Sequence, residues 1–254
     1  MKTNLNYNLG TKADSIQIEK RKEMIDHFRI RPMPDDHLFS NFGLYMRSSA
    51  LAKVLLINEL YEHILNIPGV IVEFGIWWGQ NLVLAENLRA IYEPFNQSRR
   101  IIGFDTFSGY EGFSNVDNEK SNVIKEGGYT TSKDYMIYLD KLLSLHEENN
   151  VLGNIHKYKL IEGDVVYTVP KFFKEHPETV VALAYFDLGL YLPTKICLKT
   201  IQSHLIPGSL ILLDEFNSSE APGETIAFKE VFGSSGYTIK KSKYFADRSL
   251  VFIK

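Results

Sequence analysis

Short apolar runs rich in β-branched residues recur along the chain. They alternate with longer stretches in which apolar residues return every three or four positions. The runs predict strands over Val70–Phe74, Arg100–Phe104, Lys157–Ile161, Val180–Phe186, Ser209–Leu213, Tyr237–Lys241 and Leu250–Ile253, and their unbroken apolar character suits strands covered on both faces. The periodic stretches predict helices over Asn81–Tyr92, Ser132–Glu148, Val169–Glu175, Thr194–His204 and Glu224–Phe232, with a further helix at about Ser49–Leu65 ahead of the first strand. Leu205-Ile206-Pro207-Gly208 reads as a helix stop just before a strand. This alternation predicts an α/β fold: a doubly wound, seven-stranded, mostly parallel sheet with helices on both faces. No helix separates the last two strands, so they should pair antiparallel. Residues 1–47 read as a polar N-terminal arm and residues 48–254 as one domain, with no internal repeat or linker.

Composition narrows the class. A chain of 254 residues, 44% hydrophobic and 23% charged, fits one sizeable α/β domain. A net charge of −3 and only two short basic runs, Lys20-Arg21-Lys22 and Lys240-Lys241-Ser242-Lys243, argue against a general nucleic-acid binder. The start, MKTNLNYNLG, lacks the apolar stretch of a signal peptide, and runs such as Val180–Phe186 are too short to span a bilayer. The expectation is a cytoplasmic protein that engages neither membrane nor nucleic acid. The single cysteine, Cys197, excludes an intrachain disulfide and reads as a small buried apolar side chain. Whether the arm pairs subunits in a homo-oligomer or closes its own site is left open by its composition.

In doubly wound sheets, ligands bind outside the carboxyl ends of the strands. Those ends carry acids here. Strand one ends in Glu73-Phe74-Gly75, strand two in Asp105, strand three in Glu162-Gly163-Asp164, strand four in Asp187 and strand five in Asp214-Glu215. One acid after a strand is ordinarily a cap or turn former. Five on one rim repel each other and call for a cation or hydrogen-bond donors.

"VIVEFGIWWGQN", residues 70–81, sharpens this. A dinucleotide wants G-x-G-x-x-G and bare amides for its pyrophosphate. Only Gly75 and Gly79 are present, Trp77 fills the space between them, and Glu73 would repel phosphate. S-adenosylmethionine carries no phosphate, has a cationic sulfonium and ends in an ammonium. Glu73 would accept from that ammonium, Asp105 from the ribose hydroxyls and Asp164 from the adenine amino group. Trp77, Thr106, Ser108 and Asp187 complete the expected cofactor set.

"VIVEFGIWWGQN", "IIGFDTFSGYEG", "EGDVVYTVPKFF", "AYFDLGLYLPT", "LIPGSLILLDEF" and "APGETIAFKEVFG" occur in the order found in the TylF/MycF-like sugar O-methyltransferases, and the chain resembles that family from about Ser48 onward. The resemblance implies a class I methyltransferase that methylates a sugar or glycoside hydroxyl with help from a divalent metal, commonly Mg²⁺. It matches Asp187 and Asp214 to metal-binding acids and sets Glu215 where the family usually has a second aspartate. Two departures stand out: the family's D-x-D-x-Y block reads Asp187-Leu188-Gly189-Leu190-Tyr191, and an arginine often found after the later Pro-Gly is Thr225. A metal held by these acids would lower the pKa of the hydroxyl and fix it in line with the sulfur–methyl bond. Asp187 is also a candidate proton acceptor, and His37 in the arm is a second. Residues 106–131 contain Phe107, Tyr110, Phe113 and Tyr129 and read as a lid that keeps water out. Two other readings stay open: a nicotinamide-dependent oxidoreductase, and a catalytically silent protein that binds S-adenosylmethionine.

Overall fold

The computed structural model describes residues 13–117, 121 and 124–254. Residues 1–12 of the expected arm, and 118–120 and 122–123 of the expected lid, lie outside the described residues. Along the chain run α1 (Ser15–Arg29), α2 (Asp35–Asn41), a 3-10 turn (Phe42–Tyr45), α3 (Ser48–Ile64), β1 (Val70–Phe74), α4 (Gln80–Tyr92), β2 (Ile101–Asp105), α5 (Tyr135–Glu148) and β3 (Tyr158–Glu162). Then follow α6 (Val165–Glu175), β4 (Val181–Phe186), α7 (Tyr191–Ile201), β5 (Leu205–Leu213), α8 (Gly223–Phe232), β6 (Tyr237–Lys241) and β7 (Ser249–Ile253).

The strands form one sheet in the order β3-β2-β1-β4-β5-β7-β6. β1 to β5 are parallel, and β7 lies antiparallel between β5 and β6. Both faces are covered, which is why the central strands read as unbroken apolar runs. Ile71, Ile101, Leu183, Leu210 and Leu212 pack with Leu56 and Leu60 of α3, Leu82 of α4 and Leu139 of α5. Val72, Phe74, Phe104, Phe186 and Leu213 pack on the other face with Val169 and Phe172 of α6, Leu198 and the buried Cys197 of α7, and Phe228 of α8. The strand order reverses at β1, between β2 and β4, so the crevice lies beyond the carboxyl ends of β1 and β4. Among the described residues no helix is long and apolar enough to cross a membrane.

Three differences from the sequence expectation have a local cause. The arm is helical: Asp14 accepts from the Gln17 amide at 2.7 Å while the Gln17 side chain accepts from the Asp14 amide at 3.3 Å, a reciprocal cap. α1 buries none of its residues, so no apolar period announced it. α6 begins at Val165 because the Asp164 side chain accepts from the Val166 amide, and Pro170 falls inside the helix. β5 begins at Leu205, with Pro207 and Gly208 inside it. The register against β4 shifts there, and Ser209 Oγ joins the two strands by accepting from the Ile206 amide and donating to the Val181 carbonyl.

Candidate active site

The chain leaves β1 through a turn held from the neighbouring strand. Asp105, at the end of β2, accepts from the Ile76 and Trp77 amides through Oδ2 at 2.5 and 2.8 Å, and from the Phe107 amide through Oδ1 at 2.6 Å. Burial raises the pKa of this carboxyl, and the backbone donors oppose the rise. Gly75 has φ +85°, and a Cβ there would collide with the Asp187 carbonyl. Glycine at this point is therefore demanded by the close approach of β4 as much as by a ligand. Trp77 holds a left-handed φ of +51°, and its buried indole N–H has no partner.

Two cavities meet at this turn. The first, about 430 Å³, has Asp105, Thr106, Asp164 and Val165 in its wall, and also Tyr110, Tyr129, Asp187, Asp214, Glu215 and Arg248. The second, about 530 Å³, is lined by Arg47 and Ser49 at the start of α3, by Glu73 and Asn81, and by Trp78 and Phe245. Lys53, Trp77 and Asp187 line both and mark the junction. Asn81 donates to Glu73 Oε1 at 2.7 Å, and its own buried Oδ1 has no partner. Burial pushes the Glu73 carboxyl up to about 8, against the opposing effects of the Asn81 bond and Lys53.

The acids of β4 and β5 converge on the first cavity. Asp214 Oδ1 accepts from the Tyr185 hydroxyl at 2.8 Å and pairs with Arg248 Nε, while Lys53 donates to the same hydroxyl at 3.1 Å. Burial and then the charge of Asp214 raise the Asp187 pKa, opposed by Lys53 and Arg248. Three carboxylates are the donor type a hard cation takes. As placed, however, they do not make a cage. Among the described residues no three of His, Cys, Asp or Glu converge on a point that could hold a metal ion, and Asp214 is already engaged by Arg248 and Tyr185.

Other expected residues fall elsewhere. His37 lies exposed on α2 and lines neither cavity, and Gly79 starts α4 outside both. Ser108 donates to Glu111 at 2.9 Å and faces a third cavity beside Thr130 to Ile137. Thr106 faces the first cavity and bonds to the Gly109 carbonyl at 3.2 Å. The segment expected to be a lid lines the first cavity through residues 109–112 and Tyr129. Tyr110 and residues 127–128 exchange backbone bonds, Asp117 accepts from the Tyr191 amide at 2.8 Å, and Ile124 packs with Leu190, Ala221, Tyr110 and Phe113.

Four residues at the site were not marked by the sequence. Lys53 and Arg248 sit far in sequence from the acids they meet, and Asn81, in the first turn of α4, reads as an ordinary polar residue at a helix start. Glu224, in the first turn of α8, is fully buried and accepts from the Leu188, Gly189 and Glu215 amides. Burial pushes it up to about 8 against the Glu215 amide bond. An acid in a first helical turn reads as an ordinary dipole partner, which hides this role.

Residues 49–232 match the model of the macrocin-O-methyltransferase (TylF) family. A curated relative from Streptomyces olivaceus, 8-demethyl-8-(2,3-dimethoxy-alpha-L-rhamnosyl)-tetracenomycin-C 4'-O-methyltransferase, is 26% identical over 163 residues, covering 59% of this chain and 54% of the relative. The chain thus spans about half that relative's length. The crystal structure of CalS11, calicheamicin methyltransferase, superposes with a TM-score of 0.91 at 34% identity over 95% of this chain and 94% of that one. An apo structure of CalS11, described as TDP-rhamnose 3'-O-methyltransferase, gives 0.83 at 33% identity over 95% and 96%. The O-methyltransferase NovP, at 14% identity and a TM-score of 0.59 over 80% and 79%, shares the fold. That fold is the class I methyltransferase fold.

Proposed function

Because the chain belongs to the macrocin-O-methyltransferase (TylF) family, we propose that it transfers the methyl group of S-adenosylmethionine to a hydroxyl of a sugar-bearing small molecule, with a rhamnosyl unit as the acceptor. The observation that carries this reading is the pair of cavities joined at Lys53, Trp77 and Asp187. A nucleoside fits the end bounded by Asp105, Thr106 and Asp164. A cationic amine fits the far end, where Glu73 and the unpartnered Asn81 Oδ1 are both acceptors. The methionine carboxylate then lies toward Arg47 and Ser49, at a helix start with no side-chain cap. The sulfonium falls at the junction. The rhamnosyl assignment rests on the names of the tetracenomycin and CalS11 relatives, both of which specify rhamnose.

The acceptor occupies the rest of the first cavity, among Tyr110, Tyr129, Asp187, Asp214 and Arg248. Its hydroxyl oxygen attacks the methyl carbon in line with the carbon–sulfur bond. The O–CH₃ bond forms, the S–CH₃ pair returns to sulfur to leave a neutral thioether, and the hydroxyl proton passes to Asp187. A sulfonium and a carboxylate both lose their charge in this step, so exclusion of water by the lid favours it. The raised proton affinity of Asp187 makes it a better acceptor than an exposed aspartate. Lys53 and Arg248 hold Tyr185 and Asp214 in place beside it.

Metal assistance is the finer part of the reading. For a divalent ion to be held here, Asp214 would have to leave Arg248, and comparing turnover in EDTA with turnover in excess Mg²⁺ decides the point. The central test is Asp187→Asn with TDP-rhamnose and a rhamnosylated aromatic polyketide as acceptors. S-adenosylmethionine should still bind within about threefold by calorimetry, while turnover falls by at least ~10²-fold. Wild-type-like turnover in the variant would remove Asp187 from the mechanism, and no turnover by the wild-type protein with either acceptor would overturn the acceptor class.

A further inference from the structure

Glu224 lines neither cavity, yet it touches both turns that carry the acids. Its Oε1 accepts from the amides of Leu188 at 3.2 Å and Gly189 at 3.1 Å, the two residues after Asp187. Its Oε2 accepts from the amide of Glu215 at 3.0 Å, the residue after Asp214. One side chain from α8 therefore bridges the exits of β4 and β5. Gly189 makes the bridge possible: at φ +64° the chain turns so that two successive N–H groups reach one oxygen, and a Cβ there would lie 2.5 Å from Ile124 Cδ1. The resemblance sets the family's second acid at this position, where a side chain would have to displace Ile124.

A fully buried carboxyl beside Asp187 and Asp214 is an expensive way to hold structure, since a side chain with no ionisable group would avoid the desolvation. What the carboxyl offers is two oxygens on a rigid fork, which meet three amides on two separate turns. Resting on the methyl transfer proposed above, we infer that Glu224 is a positioning residue: it fixes the Asp187 turn relative to the Asp214 turn, and hence the proton acceptor relative to the acceptor hydroxyl. It does so without touching the cofactor.

The test uses Glu224→Gln, which keeps one carbonyl oxygen for the Leu188 and Gly189 amides and turns an NH₂ toward the Glu215 amide. Because a misplacement of about 1 Å costs on the order of 10²-fold in rate, kcat with TDP-rhamnose should fall by roughly 10- to 100-fold. The Kd for S-adenosylmethionine and the KM for TDP-rhamnose should stay within about twofold. Amide exchange followed by NMR should show the Glu215 N–H losing protection while Leu188 and Gly189 keep theirs. Glu224→Ala should release all three amides, and if that variant fails to fold, the glutamine variant still decides. A wild-type kcat in the glutamine variant overturns the inference, as does a loss confined to cofactor affinity. If the wild-type protein does not turn over TDP-rhamnose, the proposed acceptor fails separately. Amide exchange then judges the clamp alone, and unchanged protection at Glu215 overturns it.

Discussion

Glu73 and Asn81 form an acceptor pair waiting for a donor. The glutamate carboxyl, pushed up to about 8 by burial, holds its proton at neutral pH, and the Oδ1 of Asn81, whose Nδ2 donates to that carboxyl, has no partner. An ammonium beside this pair favours the carboxylate and drives the proton off. Calorimetry of S-adenosylmethionine at about pH 7, in buffers of different ionisation enthalpy, should therefore report release of close to one proton. At about pH 9, where the carboxyl is already ionised, this release should vanish, and Glu73→Gln should abolish it at about pH 7. Asp105 presents the opposite case. Its position at the end of β2 was legible and suggested a ribose contact, but its oxygens already hold three backbone amides. Asp105→Ala should therefore lower thermal stability as well as cofactor affinity, by about 1–3 kcal/mol for stranding buried donors. Sequence showed which acids reach the rim. It did not show which of them hold the backbone, because that depends on whose amides lie opposite across the sheet.

At the level of elements, the segment after β2 and the turn after β4 are built against each other. Ile124 packs over Gly189, and Asp117 receives the first amide of α7 at Tyr191. Gly189→Ala imposes a left-handed conformation on a residue with a Cβ and pushes that Cβ against Ile124. The expected loss is roughly 1–2 kcal/mol from backbone strain, plus displacement of Ile124. Ile124→Ala should relieve the steric part and leave the strain, so thermal melts of the single and double variants should be non-additive. The aromatic residues of the segment after β2 were legible as candidates for the site, and Tyr110 and Tyr129 line the first cavity. The helical arm was not, because α1 is set by the Asp14–Gln17 cap and by local pairs such as Lys20–Glu23 at 2.7 Å rather than by a buried stripe. The early start of β5 escaped notice for a similar reason: Pro-Gly ordinarily ends an element, whereas here Ser209 stitches it into the sheet.

Across the whole molecule, several carboxyls are buried where they favour the protonated form. Glu73 and Glu224 are pushed up to about 8, and Glu86, both of whose oxygens lack a hydrogen-bond partner, to about 7. In the unfolded chain they titrate near 4.5. Between these limits the folded state binds more protons than the unfolded one, so stability falls as pH rises, by at most about 1.4 kcal/mol per pH unit for each carboxyl. The melting temperature should be lower at about pH 8.5 than at about pH 6, and Glu86→Gln should narrow the gap. The sheet, its parallel centre and its antiparallel end were all legible, because apolar runs and intervening periodic stretches suffice to fix a doubly wound order of elements. Lys53 and Arg248 were not, since a lone cation in sequence carries no sign of the acid it will meet. Arg248 stands between β6 and β7, and β7 is the strand that joins β6 to the rest of the sheet. During synthesis β6 emerges first and has no edge to join until β7 has followed it and slotted against β5. Until then Asp214 has no guanidinium opposite it, so the last hairpin to join the sheet is also the one that brings the cation to its acidic rim.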